Sequence, residues 1–539
     1  MPGHRAPRLA QPDPPTNLKT PSSQKSPRNL DKHLFEAGLQ CPKRLWLDYH
    51  EPTDSELSPM RQAMSATGLQ LLELARSVFP KGVPVAGKAM AKAIAATTEQ
   101  LAEGNQVLFG ASFEADGVEV QSDILVQHKD GQVDLYEVKS GTRIKQRYIN
   151  DLALQVHVVE ACGHTVRAAF LLHVNPKYVH KEGADYPPMQ LLRSADVTAK
   201  VRKQVAQVQA RLPAFRTTLG DPDVLQLPMG TFCTEPFACP HLGRCTAEGP
   251  KEPLRSLPEL SRAQEAELHQ EGIEDLASVD PKRPGLTFKQ RRTLTSRQQQ
   301  TQITEPFVRE ELRTCTYPLH FLAIAALTEP LPKFEGQRPW RHVPYAFAAQ
   351  TLYKDGRVEV THHVHAEKGD PRPGLLTALA KHLEIGGTIL CWDDVMLASV
   401  RELLEDMPAS KVAVRGVLAR PQVDMKHLFD AGVFHPQLLG HDDLVTSSAA
   451  LLGDAAPAAA TSITEPELRE MIEKAGAPRV RSTTREKIAS EIQAALQWRC
   501  ERLMALFRKL AELDAPSRRP GAAPALKAVK PLPKPLPGQ

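Results

Sequence analysis

No run of this sequence approaches the ~20 consecutive apolar residues needed to span a bilayer. The first 27 residues carry basic groups but no apolar core, so a secretory signal is not expected and a cytoplasmic location is the default. Cysteine is scarce, 8 in 539 residues, too few for a disulfide scaffold, and clustered cysteines in such a chain read first as metal or cluster ligands. A strong net charge is also missing. The formal charge is +4, yet the N-terminal 30 residues and residues 516–539 together carry nine net positive charges, which leaves the body near −5. Global electrostatics thus do not argue for a basic nucleic-acid-binding body, and any attraction for phosphate must come from a local groove or from the tails.

At 539 residues the chain is too long for one core. Residues 1–30 and 516–539, rich in proline and lysine, are expected to be disordered tails. Between them the patterning predicts a helix through Lys43–Leu47, one over 58–79 and one over 88–103. Three strands follow, over 106–115, 118–126 and 132–139. They are separated by Asp116-Gly117 and Lys129-Asp130-Gly131, both hairpin turns. A helix over 147–161 has Ile149, Leu152, Val156 and Val159 at helical spacing, and Val166–Val174 reads as a buried strand. Residues 192–216 read as helical and 251–311 as a helical connector, in which Glu271–Leu276 hints at a helix-hairpin-helix turn, with a plain spacer preferred. A second α/β region fills 312–515.

Chemistry concentrates in Ser122-Asp123-Ile124 and Tyr136-Glu137-Val138-Lys139. Period two puts Val133, Leu135, Glu137 and Lys139 on one strand face, and a hairpin partner can bring Asp123 beside them. Two carboxylates suit a hard cation such as Mg²⁺ or Mn²⁺, and a lysine can orient water or steady charge on phosphate. Gln155, on the following helix near Tyr148 and Asp151, can hold the water or the lysine.

In this order and spacing, residues 31–250 resemble the RecB-like branch of the PD-(D/E)XK nucleases, close to the CRISPR-associated RecB-like exonucleases. The resemblance implies a restriction-endonuclease-like α/β fold and a metal-dependent DNA nuclease, with Asp123, Glu137, Lys139 and Gln155 as catalytic residues and Asp123 and Glu137 as metal ligands. It further implies DNA, single-stranded ends foremost, as substrate, in repair or defence, with a helicase or defence-system protein as a possible partner and no membrane. Two departures stand out. Gly68–Leu72 lacks the histidine that many relatives carry, and Val159 stands where many have tyrosine. A non-cleaving binding protein on the same fold is the alternative.

Cys233, Cys239 and Cys245 recur with five residues between neighbours, and Cys41 stands far upstream. One early and three late cysteines resemble the iron–sulfur clasp of RecB-like nucleases, which implies a 4Fe-4S cluster on these four. Zinc on the same four is the runner-up, against which the absence of paired C-x2-C spacing counts.

Residues 316–512 resemble a domain of unknown function that follows such nucleases. The resemblance rests on Glu335–Trp340, Val343-Pro344-Tyr345 and Gly369–Arg372. That domain is similar to ribonuclease-H-type 3′–5′ exonucleases, whose first strand carries an Asp-x-Glu pair. The equivalent strand here has Ala323 and Ala325, and the late helix offers Arg499-Cys500-Glu501, so a catalytically degenerate domain is expected. Asp393 and Asp394 remain but cannot alone rebuild a two-metal site. His362, His363 and His365 are expected to be surface strand residues, with His363 and His365 on one face.

Overall fold

The computed structural model describes residues 28–52, 59–87, 89–181, 183–393, 395–438, 443–453 and 463–511. The two expected disordered tails lie almost wholly outside these, as does Asp394. The described residues fall into two compact units. The first is drawn from Met1–Ser55, Leu71–His173 and Leu192–Leu227, the second from Glu56–Gln70, Val174–Leu191 and Pro228–Gln539. Sheets and helices alternate in both, and among the described residues no helix is long and apolar enough to cross a membrane.

The first unit opens with helices α1 (Lys32–Gln40) and α2 (Pro42–His50). Helix α3 spans Pro59–Arg76 and α4 spans Met90–Ala102, close to the predicted ranges. A six-stranded sheet runs in sequence order through β1 (Val83–Pro84), β2 (Val107–Ala115), β3 (Val118–Gln127), β4 (Val133–Lys139), β5 (Val166–Val174) and β6 (Leu192–Asp196). Strands β2, β3 and β4 form an antiparallel meander, and β5 joins β4 in parallel after helix α5 (Gln146–Ala161).

The β2–β3 turn works because Asp116 and Gly117 both have positive φ, 50° and 67°, the geometry that matches strand twist in a two-residue hairpin. The Gly117 carbonyl accepts from Leu30 N–H at 2.9 Å, and the Leu30 carbonyl accepts from Glu119 N–H at 2.8 Å. The start of α1 is thus tied to the hairpin. The Asp31 carboxylate caps the helix, accepting from Leu34 N–H, and Leu34 and Phe35 are buried. This anchoring fixes where Lys32 emerges.

Residues 192–216 are not one helix. Leu192–Asp196 forms the edge strand β6, and the helix begins at Thr198 and continues to Gly220. Asp196 decides the break, since its Oδ1 accepts from both the backbone N–H and the hydroxyl of Thr198.

In the second unit a five-stranded sheet has the order β10-β9-β8-β11-β12. The short strand β7 (Ile303–Thr304) pairs instead with β13 (Val433–Phe434). Strands β8 (Leu319–Thr328), β9 (His342–Leu352) and β10 (Val358–Val364) are antiparallel; β11 (Thr388–Cys391) runs parallel to β8 and β12 (Gln422–Asp424) parallel to β11. Side-chain alternation on β8 builds two cores. Phe321, Ala323 and Ala325 pack beneath the Ser482–Ala511 helix, while Leu322 and Ile324 face the Arg372–His382 and Lys411–Leu418 helices.

The connector is more than a spacer. Leu254, Leu257, Leu268, Leu276, Val279, Leu286 and Leu294 make their own buried cluster. Capping boxes at Ser261/Gln264 and Thr287/Gln290 start its two longer helices, Arg262–Gln270 and Phe288–Gln299. The Gly272 turn is followed by a single 3-10 turn, Leu276–Ser278, so no helix-hairpin-helix forms there.

Candidate active site

One residue beyond the Ile124–Tyr136 pair on each strand lie Asp123 and Glu137, so the meander brings the two carboxylates together. Asp123 Oδ2 accepts from Val138 N–H at 2.7 Å. Glu137 is 4% exposed on the face it shares with buried Val133 and Leu135. Lys139 Nζ donates to Glu137 Oε1 at 2.6 Å and to Asp151 Oδ2 at 2.8 Å, and lies 5.4 Å from the Tyr148 ring centroid. Gln155 Nε2 donates to Glu137 Oε2 at 2.9 Å and to Asp151 Oδ1 at 3.3 Å, leaving the buried Gln155 Oε1 without a hydrogen-bond partner. All four expected residues therefore converge.

Two further residues complete the cluster. Asp151 and Gln155 sit one turn apart on α5 and are both buried, so the helix presents two polar side chains to the β4 carboxylate. Lys32 on α1 donates to Glu137 Oε1 at 2.8 Å and pairs with Asp151 Oδ2. The i, i+4 spacing of Asp151 with Gln155 was a readable signal. Lys32, 105 positions before Glu137, left none, because its place depends on the Leu30 tie to the hairpin.

Three carboxylates and two ammoniums share this space. Burial drives the Asp123 carboxyl up, the Glu137 charge adds to it, and the group settles at about 7. Burial and the same neighbour also raise Asp151. Burial opposes charge on Glu137 too, but the Lys32 and Lys139 ammoniums outweigh it and hold that carboxyl well below its usual range. Burial would lower Lys32, yet Glu137 and Asp151 raise it above the ordinary lysine value.

The expected cluster ligands come from both units. Cys41, in the first, is buried as the residue joining α1 to α2. Cys233, Cys239 and Cys245 belong to the second, in a segment held where Glu265 accepts from Thr231 N–H at 3.0 Å. Cys239 N–H donates to the Cys233 carbonyl at 2.8 Å. Burial raises the Cys233 thiol, with the nearby Cys245 and Cys239 adding to it. Among the described residues, no three His, Cys, Asp or Glu side chains are grouped so as to hold a metal ion.

In the second sheet, Ala323 is 2% exposed and Ala325 fully buried. Cys500 of the Ser482–Ala511 helix covers this place, its Sγ donating to the Ala348 carbonyl at 3.2 Å, and its thiol is pushed up to about 12 by burial. Residues 320–442 match the family described as Domain of unknown function (DUF2779). No curated protein matches the chain.

Within the DUF2779 region two of the three sequence motifs, Glu335–Trp340 and Gly369–Arg372, brace each other. Arg372, 1% exposed, donates to both carboxylate oxygens of Asp370 and to the Glu335 carbonyl, each at 2.8 Å. Gly336 has φ 75°, and a Cβ there would stand 2.2 Å from the Asp406 carbonyl. Two of the three histidines, His363 and His365, are half-buried rather than at the surface. His363 stacks on Phe347 with 6.4 Å between ring centroids, whereas β10 ends at Val364 and His365 turns into a cavity beside Tyr345. Only His362 of the three is fully at the surface.

Proposed function

We propose that the first unit is a metal-dependent DNA nuclease of the PD-(D/E)XK type, acting on single-stranded DNA or DNA ends. The observation that carries the reading is the convergence of Asp123, Glu137, Lys139 and Gln155 from three elements onto one partly buried cluster. A solvated strand surface has no reason to bury Glu137 with two ammoniums.

The donor set fits a hard divalent cation. Asp123 and Glu137 offer carboxylate oxygens, and an Asp123 carboxyl raised to about 7 is one that a nearby positive charge would ionise. Bound there, Mg²⁺ or Mn²⁺ would acidify a water and neutralise charge on the phosphate. Lys139 orients the attacking water or steadies the phosphate oxygen, with Asp151 and the Tyr148 ring fixing its ammonium. Gln155 holds Glu137 through Nε2 and has Oε1 left to accept a water proton.

A 4Fe-4S cluster held by Cys233, Cys239 and Cys245 is proposed on the thiolate chemistry of these residues, as a structural element. The second unit is read as a ribonuclease-H-like domain without catalysis. An antiparallel meander continued by two parallel strands supports that fold, and the apolar packing of Ala323, Ala325 and Cys500 supports the loss of activity.

A second reading keeps the fold but not the cutting. Lys32 and Lys139 both occupy Glu137 Oε1, which is what a metal-independent binding protein would retain. Incubation of the full chain with end-labelled single- and double-stranded DNA separates the two. The nuclease reading expects Mg²⁺- or Mn²⁺-dependent cleavage that EDTA and Glu137→Gln each abolish. Binding without cleavage at any metal concentration supports the second reading.

A further inference from the structure

A cavity of about 330 Å³ opens at the end of the second sheet, within the range of small-molecule sites, roughly 300–1,000 Å³. It is lined by residues from all three motifs that the nuclease reading leaves unused: Gln337, Val343, Tyr345, Gly369 and Pro371. Its apolar walls are Leu327, Val343, Phe334 and Ile472.

Three polar groups reach this space with spare bonding capacity. Tyr345 is 2% exposed, and its hydroxyl makes no hydrogen bond among the described residues; burial raises its pKa. His365 Nε2 is buried without a partner, although its backbone N–H is fixed to the Tyr345 carbonyl at 2.9 Å. Gln337 is 2% exposed; its Oε1 accepts from Lys333 N–H at 2.7 Å and Phe334 N–H at 3.1 Å, so its NH₂ end is left for the cavity. Buried polar groups ordinarily find partners, so the unpartnered His365 Nε2, set beside the Tyr345 hydroxyl and the Gln337 NH₂, indicates a ligand that supplies one.

Charge narrows the ligand. Glu329 is met by Lys333 at 2.6 Å and Arg469 at 3.1 Å, and Glu473 by Arg469 at 2.8 Å, so these two lining carboxylates are compensated, and the third, Glu367, is exposed at the rim. Its occupant is therefore neutral, flat enough to lie against Phe334 and Tyr345, and able both to donate and to accept. At the rim the exposed Lys368 stands beside Glu367 and is suited to a phosphate tail, while Lys333 is engaged by Glu329. We propose that this cavity binds a nucleobase bearing a phosphate, either as a free nucleotide or as the unpaired end of a strand. The site is separate from the Asp123 cluster and does not depend on it.

The test uses the full chain in EDTA, so that no strand is cut. Binding of nucleoside monophosphates and of short single-stranded oligonucleotides is measured by calorimetry for wild type, Tyr345→Phe and Lys368→Ala. Saturable binding is expected, weakened about five- to tenfold by loss of the Tyr345 hydroxyl and less by loss of Lys368. Tyr345→Phe removes an unpartnered group, so its melting temperature should match wild type, which separates lost binding from lost folding. Mononucleotide that binds and displaces the oligonucleotide assigns the free nucleotide as sufficient. Oligonucleotide binding alone, weakened by Tyr345→Phe, assigns a strand end. Absence of saturable binding by either, or binding indifferent to Tyr345→Phe, overturns the proposal.

Discussion

Lys32 Nζ lies 2.8 Å from Glu137 Oε1, joining the first turn of the first helix to a central strand of the six-stranded sheet. The same ammonium also pairs with Asp151, so it neutralises carboxylates from two other elements.

Lys32→Ala should therefore destabilise the metal-free chain. Removing one partner of a fully buried pair costs several kcal/mol, but the Lys32 side chain is 41% exposed and Lys139 remains, so about 1–2 kcal/mol is expected. Mn²⁺ should restore more stability to this variant than it adds to wild type. Thermal melts with and without Mn²⁺ check both statements; equal metal shifts in the two proteins would separate Lys32 from the metal site.

The Asp123 carboxyl, raised to about 7, sets a pH dependence of definite sign. Its folded pKa exceeds the unfolded value near 4, so its contribution to stability is fully present below pH ~4 and fades as pH rises through about 7. Glu137, held low, acts oppositely: its contribution is lost as pH falls below the ordinary carboxylate range. In EDTA, Asp123→Asn should flatten the stability change between about pH 5 and 7. Cleavage, which needs the Asp123 carboxylate, should gain an acidic limb in the same interval. Denaturation and rate profiles across pH measure these.

Much of the first unit was legible because its signals are local. The turn residues Asp116-Gly117 and the apolar spacing of Ile149, Leu152, Val156 and Val159 each act within a few positions, and the meander and α5 fall within a residue or so of expectation. Asp123, Glu137, Lys139 and Gln155 were legible for the same reason. Lys32 was not, because its role depends on a tertiary tie between Leu30 and the hairpin. Strand β6 was missed because Asp196 competes for Thr198 within an otherwise helical-looking stretch. His363 and His365 were expected at the surface but are half-buried, because side chains of neighbouring elements cover them.

Ala323→Asp should not restore catalysis to the DUF2779 region. Ala323 is 2% exposed beneath the Ser482–Ala511 helix, and a carboxylate there would be buried without a cation. A loss of about 2–4 kcal/mol is expected, and Ala323→Asp/Ala325→Glu together should lose at least as much without gaining exonuclease activity. Urea denaturation gives the first quantity; a cleavage assay of the double variant in a Lys139→Ala background gives the second. A stable, active double variant would contradict the packing argument.

Gly336→Ala tests the brace around the cavity. At φ 75° the new Cβ is strained and would meet the Asp406 carbonyl at 2.2 Å, so the loop must move. A loss of about 2 kcal/mol or more is expected by chemical denaturation, and an unchanged midpoint would show that the loop tolerates the shift.

Anaerobically purified protein should carry about four irons per chain and a broad visible absorbance, both lost in Cys239→Ser. Zinc in stoichiometric amount without iron, measured by elemental analysis, would replace the iron–sulfur proposal with the tetrahedral thiolate alternative.

The most direct measurement compares wild type and Lys139→Ala on end-labelled single-stranded DNA with Mg²⁺ or Mn²⁺. Lys139 bridges Glu137 and Asp151 at 2.6 and 2.8 Å without being a metal ligand, so its loss removes the chemistry while leaving both proposed ligands, Asp123 and Glu137, in place. The account predicts metal-dependent cleavage by wild type and a loss of at least about a hundredfold in the variant. Cleavage at equal rates by both proteins, or by neither, would contradict it.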